Sequence, residues 1–210
     1  MPVELVIFDC DGVLVDSESI SVRVGLAALR RLGRTMTESE YIEKFVGATS
    51  GTWEQEIGSA PPGWRDQFRA EYRAAIHNEL RAVEGITDVL ERLTIPFCVA
   101  SNARHPTIRR NLRLAGLAHH FDGRIFSVED VAAGKPAPDL FLHAAATMGA
   151  EPDACVVVED SPIGVTAAIR AGMRCFAYAG GLTPIARLEE LGATLFRHPS
   201  ELPDLIGALT

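Results

Sequence analysis

The sequence predicts a doubly wound α/β fold, with a parallel sheet covered by helices on both faces and an inserted all-helical cap domain. Short apolar runs alternate with amphipathic segments along most of the chain. This alternation is typical of parallel strands that are joined by helices. One stretch near the amino terminus breaks the alternation, because it contains helical patterns but no clear strand.

The strands are predicted from short, nearly continuous apolar runs bounded by polar or turn-forming residues. These runs are residues 5–8, 96–100, 124–126, 154–158 and 174–178. Helices are predicted between them. The apolar side chains of one such segment follow the i, i+3, i+4, i+7 spacing of a helix with one buried face, at Ile86, Val89, Leu90 and Leu93. A second stripe of this kind lies within residues 140–148.

Residues 16–81 are predicted to form the cap domain, and residues 1–15 and 82–210 to form the core. An apolar stripe over residues 22–32 predicts a helix that ends at Gly33. Further helices are predicted at 39–45, 52–57 and 64–80. A connection between two parallel strands needs far fewer residues than this stretch supplies. The alternative is that the extra helices pack directly on the core.

The composition excludes several classes of protein. Of the 210 residues, 47% are hydrophobic and 23% are charged, which is typical of an ordinary folded protein rather than a disordered or membrane-embedded one. The formal net charge of −8 argues against broad binding to nucleic acid or anionic membranes, because no positive field would attract phosphate groups.

The sequence also predicts a cytoplasmic location. No apolar run is long enough to cross a bilayer, and the amino terminus lacks the basic segment of a signal peptide. The cysteines are widely separated and have no C-x-x-C spacing: Cys10, Cys98, Cys155 and Cys175. Such cysteines usually serve as small buried hydrophobic residues in a reducing compartment.

Polar and charged residues follow four of the predicted strands, at the point where each strand ends. They are Asp9 and Asp11, Ser101 and Asn102, Lys135, and Glu159 and Asp160. In open α/β folds the carboxyl ends of the strands meet at one edge, where ligands bind, so these groups are expected to face a common crevice. Each group alone could be an ordinary turn or helix cap. Four groups on the same edge are much harder to explain in that way.

Phosphoryl transfer is the chemistry that these residue types fit. The carboxylates of Asp9, Glu159 and Asp160 offer the oxygen ligands that Mg²⁺ takes together with a substrate phosphate. Lys135, Ser101 and Asn102 can bind the remaining phosphate oxygens. One of the two aspartates at 9 and 11 can attack phosphorus while the other handles the proton of the leaving group. This division of labour needs environments that separate the two pKa values.

Four motifs occur in order along the chain: Asp9-Cys10-Asp11-Gly12-Val13-Leu14-Val15-Asp16-Ser17, Ser101-Asn102, Gly134-Lys135-Pro136 and Glu159-Asp160-Ser161. Together they resemble the haloacid dehalogenase (HAD) superfamily, and most closely its phosphatases and β-phosphoglucomutases with a helical cap after the first motif. The resemblance covers nearly the whole chain. It implies a Rossmann-like core and a Mg²⁺-dependent enzyme that hydrolyses phosphoric monoesters through an aspartyl-phosphate. It says much less about the substrate.

The resemblance also implies a role for each motif residue. Asp9 would be the nucleophile and a metal ligand, and Asp11 would be the general acid/base and bind Mg²⁺ through its backbone carbonyl. Ser101 with Asn102 would hold the phosphoryl group, and Lys135 would steady both that group and Asp9. The metal site would be completed by Asp160, with Glu159 either as a ligand or as a support behind it.

Asp11 favours phosphate esters among the reactions of this superfamily. Dehalogenase relatives lack the second aspartate, because a halide needs no proton donor. A cysteine phosphatase based on Cys10 would need an arginine six positions later, where this chain has Asp16.

A sugar phosphate mutase is the main alternative. In β-phosphoglucomutases, an arginine after a Gly-x-Ser-like segment of the cap holds the second phosphate of a bisphosphate intermediate, and here that position is Ser50. Ser21 stands where those enzymes have a histidine in the first cap helix. Both departures favour hydrolysis.

The expected partner is a small phosphorylated metabolite, a sugar or sugar-acid phosphate. The segment Gly47, Ala48 and Thr49 resembles the substrate-specificity loop of the family, so these residues are predicted to contact the leaving group; Ser17 and Arg104 are further candidates for substrate binding. A silent binding module is disfavoured because no motif residue is missing. The sequence does not indicate an oligomeric state and is compatible with a monomer.

Overall fold

The computed structural model describes residues 2–46 and 60–209, and it contains a six-stranded parallel sheet. The strands are β1 (Leu5–Phe8), β2 (Phe97–Ser101), β3 (Ile125–Ser127), β4 (Cys155–Glu159), β5 (Arg174–Tyr178) and β6 (Thr194–Phe196). Their order across the sheet is β3-β2-β1-β4-β5-β6, and all neighbouring pairs are parallel. The predicted fold class is confirmed. The sequence did not predict β6, a three-residue strand at the sheet edge.

Helices connect these strands and cover both faces of the sheet. In chain order they are α1 (Glu18–Arg31), α2 (Glu38–Phe45), α3 (Trp64–Glu79), α4 (Ile86–Arg92), α5 (His105–Leu114), α6 (Asp139–Met148), α7 (Pro162–Arg170), α8 (Ile185–Glu189) and α9 (Leu202–Gly207). The helix that the sequence predicts at 52–57 lies outside the described residues. No helix in the described ranges is long and apolar enough to cross a membrane.

The alternation of side chains along β1 shows how the sheet divides the core into two layers. Val6 and Phe8 belong to one apolar cluster, with residues of α4, α5 and α9. Leu5 and Ile7 point to the other face and belong to a second cluster, with residues of α6 and α7. Because both faces are covered, the strand is apolar throughout, and the first residue after it that carries a charge is Asp9.

The strand order places a crevice at the carboxyl end of β1. The chain leaves β1 to reach β2 on one side of it, and later returns to β4 on the other side. In doubly wound sheets this switch point separates the loops on either side and leaves a space for ligands.

The helices α1, α2 and α3 pack on one another in the segment that the sequence assigns to the cap. Apolar residues of α1 and α2 share one cluster: Val22, Leu26, Leu29, Tyr41 and Phe45. The hydroxyl of Thr37 accepts a hydrogen bond from the Glu40 amide, and the Glu40 carboxylate accepts one from the Thr37 amide, so α2 begins with a capping box. The ion pairs Arg23–Glu79 and Arg31–Glu71 join α1 to α3 at the surface.

The two segments that connect this helical unit to the core run side by side. The amide of Asp16 donates to the carbonyl of Arg81 over 3.0 Å, and the amide of Val83 donates to the carbonyl of Leu14 over 3.0 Å. These crossings lie at the boundaries that the sequence predicts for the cap. The division into 1–15 with 82–210 and 16–81 stays a prediction.

Candidate active site

The first motif begins where β1 ends. The amide of Asp9 still donates to the carbonyl of Val158 in β4 over 2.9 Å, so the sheet fixes the backbone that carries this carboxylate. The chain then turns at Gly12, whose φ of +87° favours glycine. Asp9 is buried at 9% exposure. The sheet therefore holds the predicted nucleophile at the bottom of the crevice.

Lys135 is buried and directs its ammonium group to the centre of the site. Its Nζ donates to Oδ1 of Asp9 over 2.5 Å, to Oε1 of Glu159 over 2.7 Å and to the carbonyl of Ala100 over 2.9 Å. All three protons of the ammonium group are thus used. Burial alone would lower the pKa of Lys135, but the ion pairs with Asp9 and Glu159 outweigh it and raise the pKa. Lys135 therefore stays charged.

Glu159 is fully buried and has partners for both of its carboxylate oxygens. Oε1 accepts from Lys135, and Oε2 accepts from the amide of Asp160 at 3.0 Å, the amide of Ser161 at 3.1 Å and the Ser161 hydroxyl at 2.9 Å. The α7 backbone makes room for this carboxylate only because residue 164 is a glycine. A Cβ there would lie 1.8 Å from Oε1 of Glu159. These contacts fix Glu159 as a support for Lys135, and direct metal binding by Glu159 stays a prediction.

Asp160 stands out because neither oxygen of its carboxylate has a hydrogen-bond donor among the described residues. Its carboxylate is buried. Burial raises the pKa of Asp160 well above its ordinary value, and the charges of Glu18 and Glu159 raise it further. The carboxylate lies against Gly12, where a Cβ would be 2.0 Å from Oδ2. An unpartnered buried carboxylate is costly, which favours a bound cation here.

The geometry of the acids fits such a cation. Ligand oxygens of Asp9, Glu159 and Asp160 lie within 4.8 Å of one another. Oxygen atoms from carboxylates are the ligands that Mg²⁺ and similar hard cations take. The buried acidic set of the described chain can therefore hold a divalent metal ion.

Asp11 has a different environment from Asp9, although the two lie only two positions apart. Its Oδ1 accepts from the Ser17 hydroxyl over 2.8 Å and from Nδ2 of Asn111 over 3.2 Å. Burial raises the pKa of Asp11, and these two hydrogen bonds oppose the shift. Burial also raises the pKa of Asp9, to about 7, against the opposing charge of Lys135. Asp11 therefore accepts hydrogen bonds from neutral donors, whereas Asp9 is paired with the ammonium group of Lys135.

Of the two residues that donate hydrogen bonds to Asp11, Ser17 is predicted from the sequence as a site residue and Asn111 is not. Ser17 is predicted to bind substrate, and the structure places its hydroxyl on Asp11. Asn111 lies buried on α5 between apolar neighbours of the same helix face, Ile108 and Leu112. A buried asparagine within an apolar stripe is the signal that could have found it, because buried amides need partners.

The second motif holds the loop that carries Lys135. Oδ1 of Asn102 accepts from the amide of Lys135 over 2.9 Å, and Nδ2 of Asn102 donates to the carbonyl of Lys135 over 3.0 Å. Ser101 is buried at the end of β2, and its hydroxyl accepts from the amide of Ala103 over 3.0 Å. The amide of Asn102 therefore positions Lys135, while the Ser101 hydroxyl keeps its own proton available for a ligand.

Among the predicted substrate residues that the structure describes, Arg104 is not brought into this cluster. Arg104 has a side chain that is 77% exposed, and its Nε forms an ion pair with Glu129 over 2.7 Å. Gly47, Ala48 and Thr49 lie outside the described residues. Substrate contacts by these four residues stay predictions.

A cleft of about 320 Å³ opens beside the first motif. It is lined by Gly12, by the start of α1, by the segment that returns from the helical unit and by the loop after β5. Glu18 lines the cleft and is a second site residue that is not predicted from the sequence. Burial, together with the charges of Asp11 and Asp9, raises the pKa of Glu18 to about 7, so its charge interacts with the motif.

The sequence matches the family of haloacid dehalogenase-like hydrolases over residues 3–172. The chain belongs to this family. The resemblance that the four motifs carry is therefore confirmed, as is the expectation of a hydrolytic enzyme.

Relatives of this HAD-like hydrolase cover almost its full length. The 6-phosphogluconate phosphatase of Escherichia coli (strain K12) is 32% identical over an alignment of 211 positions, which covers 97% of this chain and 94% of that protein. A crystal structure of a conserved haloacid dehalogenase-like protein of unknown function from Agrobacterium tumefaciens is 35% identical, with a TM-score of 0.90 over 98% of both chains. A HAD family hydrolase from Deinococcus radiodurans, solved with bound phosphate and sodium, is 31% identical, with a TM-score of 0.87 over 100% of this chain and 98% of that one.

Proposed function

We propose that this HAD-like hydrolase is a phosphatase that releases inorganic phosphate from a small phosphorylated carbohydrate, a sugar or sugar-acid phosphate. The observation that carries the proposal is the contact of the Lys135 ammonium with Asp9 at the carboxyl end of β1. It leaves a buried, oriented carboxylate beside a cluster of oxygen ligands. The similarity to the 6-phosphogluconate phosphatase supports the carbohydrate class.

In the proposed reaction Asp9 is the nucleophile. Lys135 holds Oδ1 of Asp9, and no described residue donates to Oδ2. An Asp9 oxygen attacks phosphorus, and the bond from phosphorus to the ester oxygen breaks. Asp11 gives its proton to that oxygen, so the alcohol leaves neutral. Asp11 then takes a proton from the water that hydrolyses the aspartyl-phosphate, which returns both aspartates to their starting states.

A divalent cation, Mg²⁺ in our proposal, would be held by Asp9, Asp160 and the carbonyl of Asp11, with Glu159 behind them. The cation would offset the charge of the acids and of the phosphate. The unpartnered carboxylate of Asp160 supports this assignment. The Ser101 hydroxyl is proposed to donate to a phosphate oxygen, and Lys135 to keep Asp9 in place.

The test compares the wild-type protein with Asp9→Asn. Phosphate release is measured over a panel of sugar and sugar-acid phosphates in the presence of Mg²⁺. We expect the substitution to abolish release, because an amide is not a competent nucleophile, and we expect rapid acid quenching to trap a phosphorylated Asp9 peptide in wild type only. Asp204→Asn, an exposed aspartate on α9, is the matched control.

Equal phosphate release by wild type and Asp9→Asn would contradict the mechanism. Phosphorus NMR of the same reactions separates the mutase alternative. A mutase would convert one sugar phosphate to another with little free phosphate, and that result would overturn the phosphatase proposal.

A further inference from the structure

Asp11 is held from two sides by groups that belong to different parts of the fold. Ser17, at the start of α1, donates its hydroxyl proton to Oδ1 over 2.8 Å. Asn111, in the middle of α5, donates from Nδ2 to the same oxygen over 3.2 Å. Asn111 is 3% exposed and lies outside all four motifs. The carboxylate is thus fixed between the helical unit and the core.

The orientation of the Asn111 amide follows from a third residue. Arg110 donates from Nε and Nη2 to Oδ1 of Asn111 over 3.2 and 3.0 Å. A guanidinium group can only donate, so the oxygen of the amide must face Arg110 and its nitrogen must face Asp11. The contact from Asn111 to Asp11 is therefore a donated hydrogen bond whichever protonation state Asp11 adopts.

Ser17 also donates a hydrogen bond to Asp11, and its hydroxyl does not cap α1. It stands at the amino-terminal cap of α1, where a serine hydroxyl commonly accepts from a backbone amide of the first turn. Here the Ser17 side chain makes no such bond and donates to Asp11 instead. Both donors are thus directed to one carboxylate oxygen.

We propose that Asn111 is a positioning residue for Asp11 and determines which oxygen of Asp11 delivers the proton to the leaving group. Both lone pairs of Oδ1 are occupied by donors, whereas no described residue donates to Oδ2. The acid proton is therefore carried on Oδ2. The inference rests on the proposed function, because it assumes that Asp11 is the general acid.

Asp11 acts as the acid in the first chemical step, in which the phosphoryl group moves to Asp9. The bond from Asp9 oxygen to phosphorus forms, and the bond from phosphorus to the ester oxygen breaks with its electron pair on that oxygen. The proton on Oδ2 of Asp11 moves to the ester oxygen, and Asp11 is left as a carboxylate that two hydrogen bonds to Oδ1 stabilise. An alkoxide leaving group needs this proton, whereas p-nitrophenolate is stable enough to leave without it.

The experiment compares Asn111→Leu with wild type on two substrates. We expect kcat/KM for 6-phosphogluconate, or for the best alkyl ester of the panel, to fall roughly tenfold or more, because a misplaced general acid loses part of its usual contribution. We expect kcat/KM for p-nitrophenyl phosphate to change less than about twofold, because this ratio reports the first chemical step, which needs no proton.

Matched variants separate positioning from general damage. Ile108→Val removes one buried methyl group from the same face of α5, so it controls for lost stability, and we expect it to leave the ratio of the two kcat/KM values unchanged. Asn111→Asp keeps the size of the side chain but presents an acceptor to Asp11. We expect it to repeat the substrate-dependent loss, and it serves as the second variant should Asn111→Leu fold poorly.

The outcomes distinguish this inference from the proposed function. If both Asn111 variants lower kcat/KM equally for the two substrates, Asn111 has a structural role only and the inference is overturned. If Asp9→Asn retains full activity, the proposed function fails, whatever the Asn111 variants show.

Discussion

Three buried carboxylates and one ammonium group occupy the same small volume at the end of β1. Lys135 contacts two of the carboxylates, those of Asp9 and Glu159, and the third, that of Asp160, has no donor among the residues described. Charges are costly to bury unless they are paired, and breaking a buried pair is more costly still. The excess of negative charge makes this residue cluster a poor structural core and a good site for a cation, which an anionic phosphoryl group would need beside these acids.

The fit of Glu159 against Gly164 leads to a prediction about a single methyl group. Glycine to alanine in a helix ordinarily stabilises by about 1 kcal/mol. At Gly164 the added Cβ would meet the carboxylate that holds Lys135, at 1.8 Å from Oε1. We therefore expect Gly164→Ala to lower the melting temperature and to reduce kcat by at least about tenfold, since a displaced acceptor costs buried groups their hydrogen bonds. Thermal unfolding and steady-state kinetics measure the two effects.

Gly207→Ala is the matched control, because it adds the same methyl group to α9. A Cβ at Gly207 meets no atom of the described structure within 4 Å. We expect unchanged kcat and an unchanged or slightly raised melting temperature. If Gly164→Ala behaved like this control, the contact between α7 and Glu159 would not support the site.

At the scale of whole elements, the five predicted strands lie within one residue of their predicted positions at both ends. The bounds of β1 and β5 are those predicted, whereas β2, β3 and β4 each lie one residue later. Their last residues are polar, and pairing with the neighbouring strand keeps them in the ladder: Ser101 pairs with Ser127, and Glu159 with Ala177. Pairing across a sheet is not visible in the local pattern of one strand.

The same limit explains which site residues the sequence could identify. The predicted residues at the ends of β1, β2 and β4 could be identified because parallel strands end at a common edge of the sheet. Asn111 and Glu18 lie on helices, and the hydrogen bond of Asn111 to Asp11 and the effect of the Asp11 charge on Glu18 depend on how those helices pack. The strand β6 is too short, at three residues, to show a period.

The loop after β5 belongs to the predicted core and contacts helices of the predicted cap. Leu182, in that loop, packs against the apolar cluster of α1 and α2. Nearby, Arg187 in α8 donates from Nη1 to the carbonyl of Val46 over 3.2 Å, just after α2. The loop thus contacts the helices that the sequence assigns to the cap.

We expect Leu182→Ala to loosen these helices without affecting the sheet. Leu182 is half-buried, so the loss amounts to about 1 kcal/mol. Amide hydrogen exchange in α1 and α2 should accelerate about fivefold, and exchange in β1 and β4 should not change. Leu142→Ala makes the same chemical change at an exposed leucine on α6 and should leave α1 and α2 unaffected. Uniform acceleration across both regions would contradict a local contact.

At the scale of the whole molecule, the buried acids link stability to pH and to metal. Burial raises the pKa of Asp9 from its ordinary value of 3.8 to about 7 in the folded chain. A raised folded pKa means that the folded state binds a proton more tightly than the unfolded state does. The resulting stabilisation is fully present below pH 3.8 and is lost as the pH rises through about 7. The cation-free protein should therefore lose stability across this range.

A divalent cation competes with protons for the same oxygens, so Mg²⁺ should stabilise the protein more at pH 8 than at pH 5.5. Binding at a hundred times the dissociation constant stabilises by about 2.7 kcal/mol, which thermal unfolding detects as a shift of several degrees. We expect Asp160→Asn to abolish most of this shift. The same variant should be more stable than wild type at pH 8 without metal, because it removes the unpartnered buried charge. Asp204→Asn should respond to Mg²⁺ like wild type.

A Mg²⁺ shift that survives Asp160→Asn would place the cation elsewhere. Lower stability of the metal-free variant at pH 8 would mean that the Asp160 carboxylate already has a partner in solution.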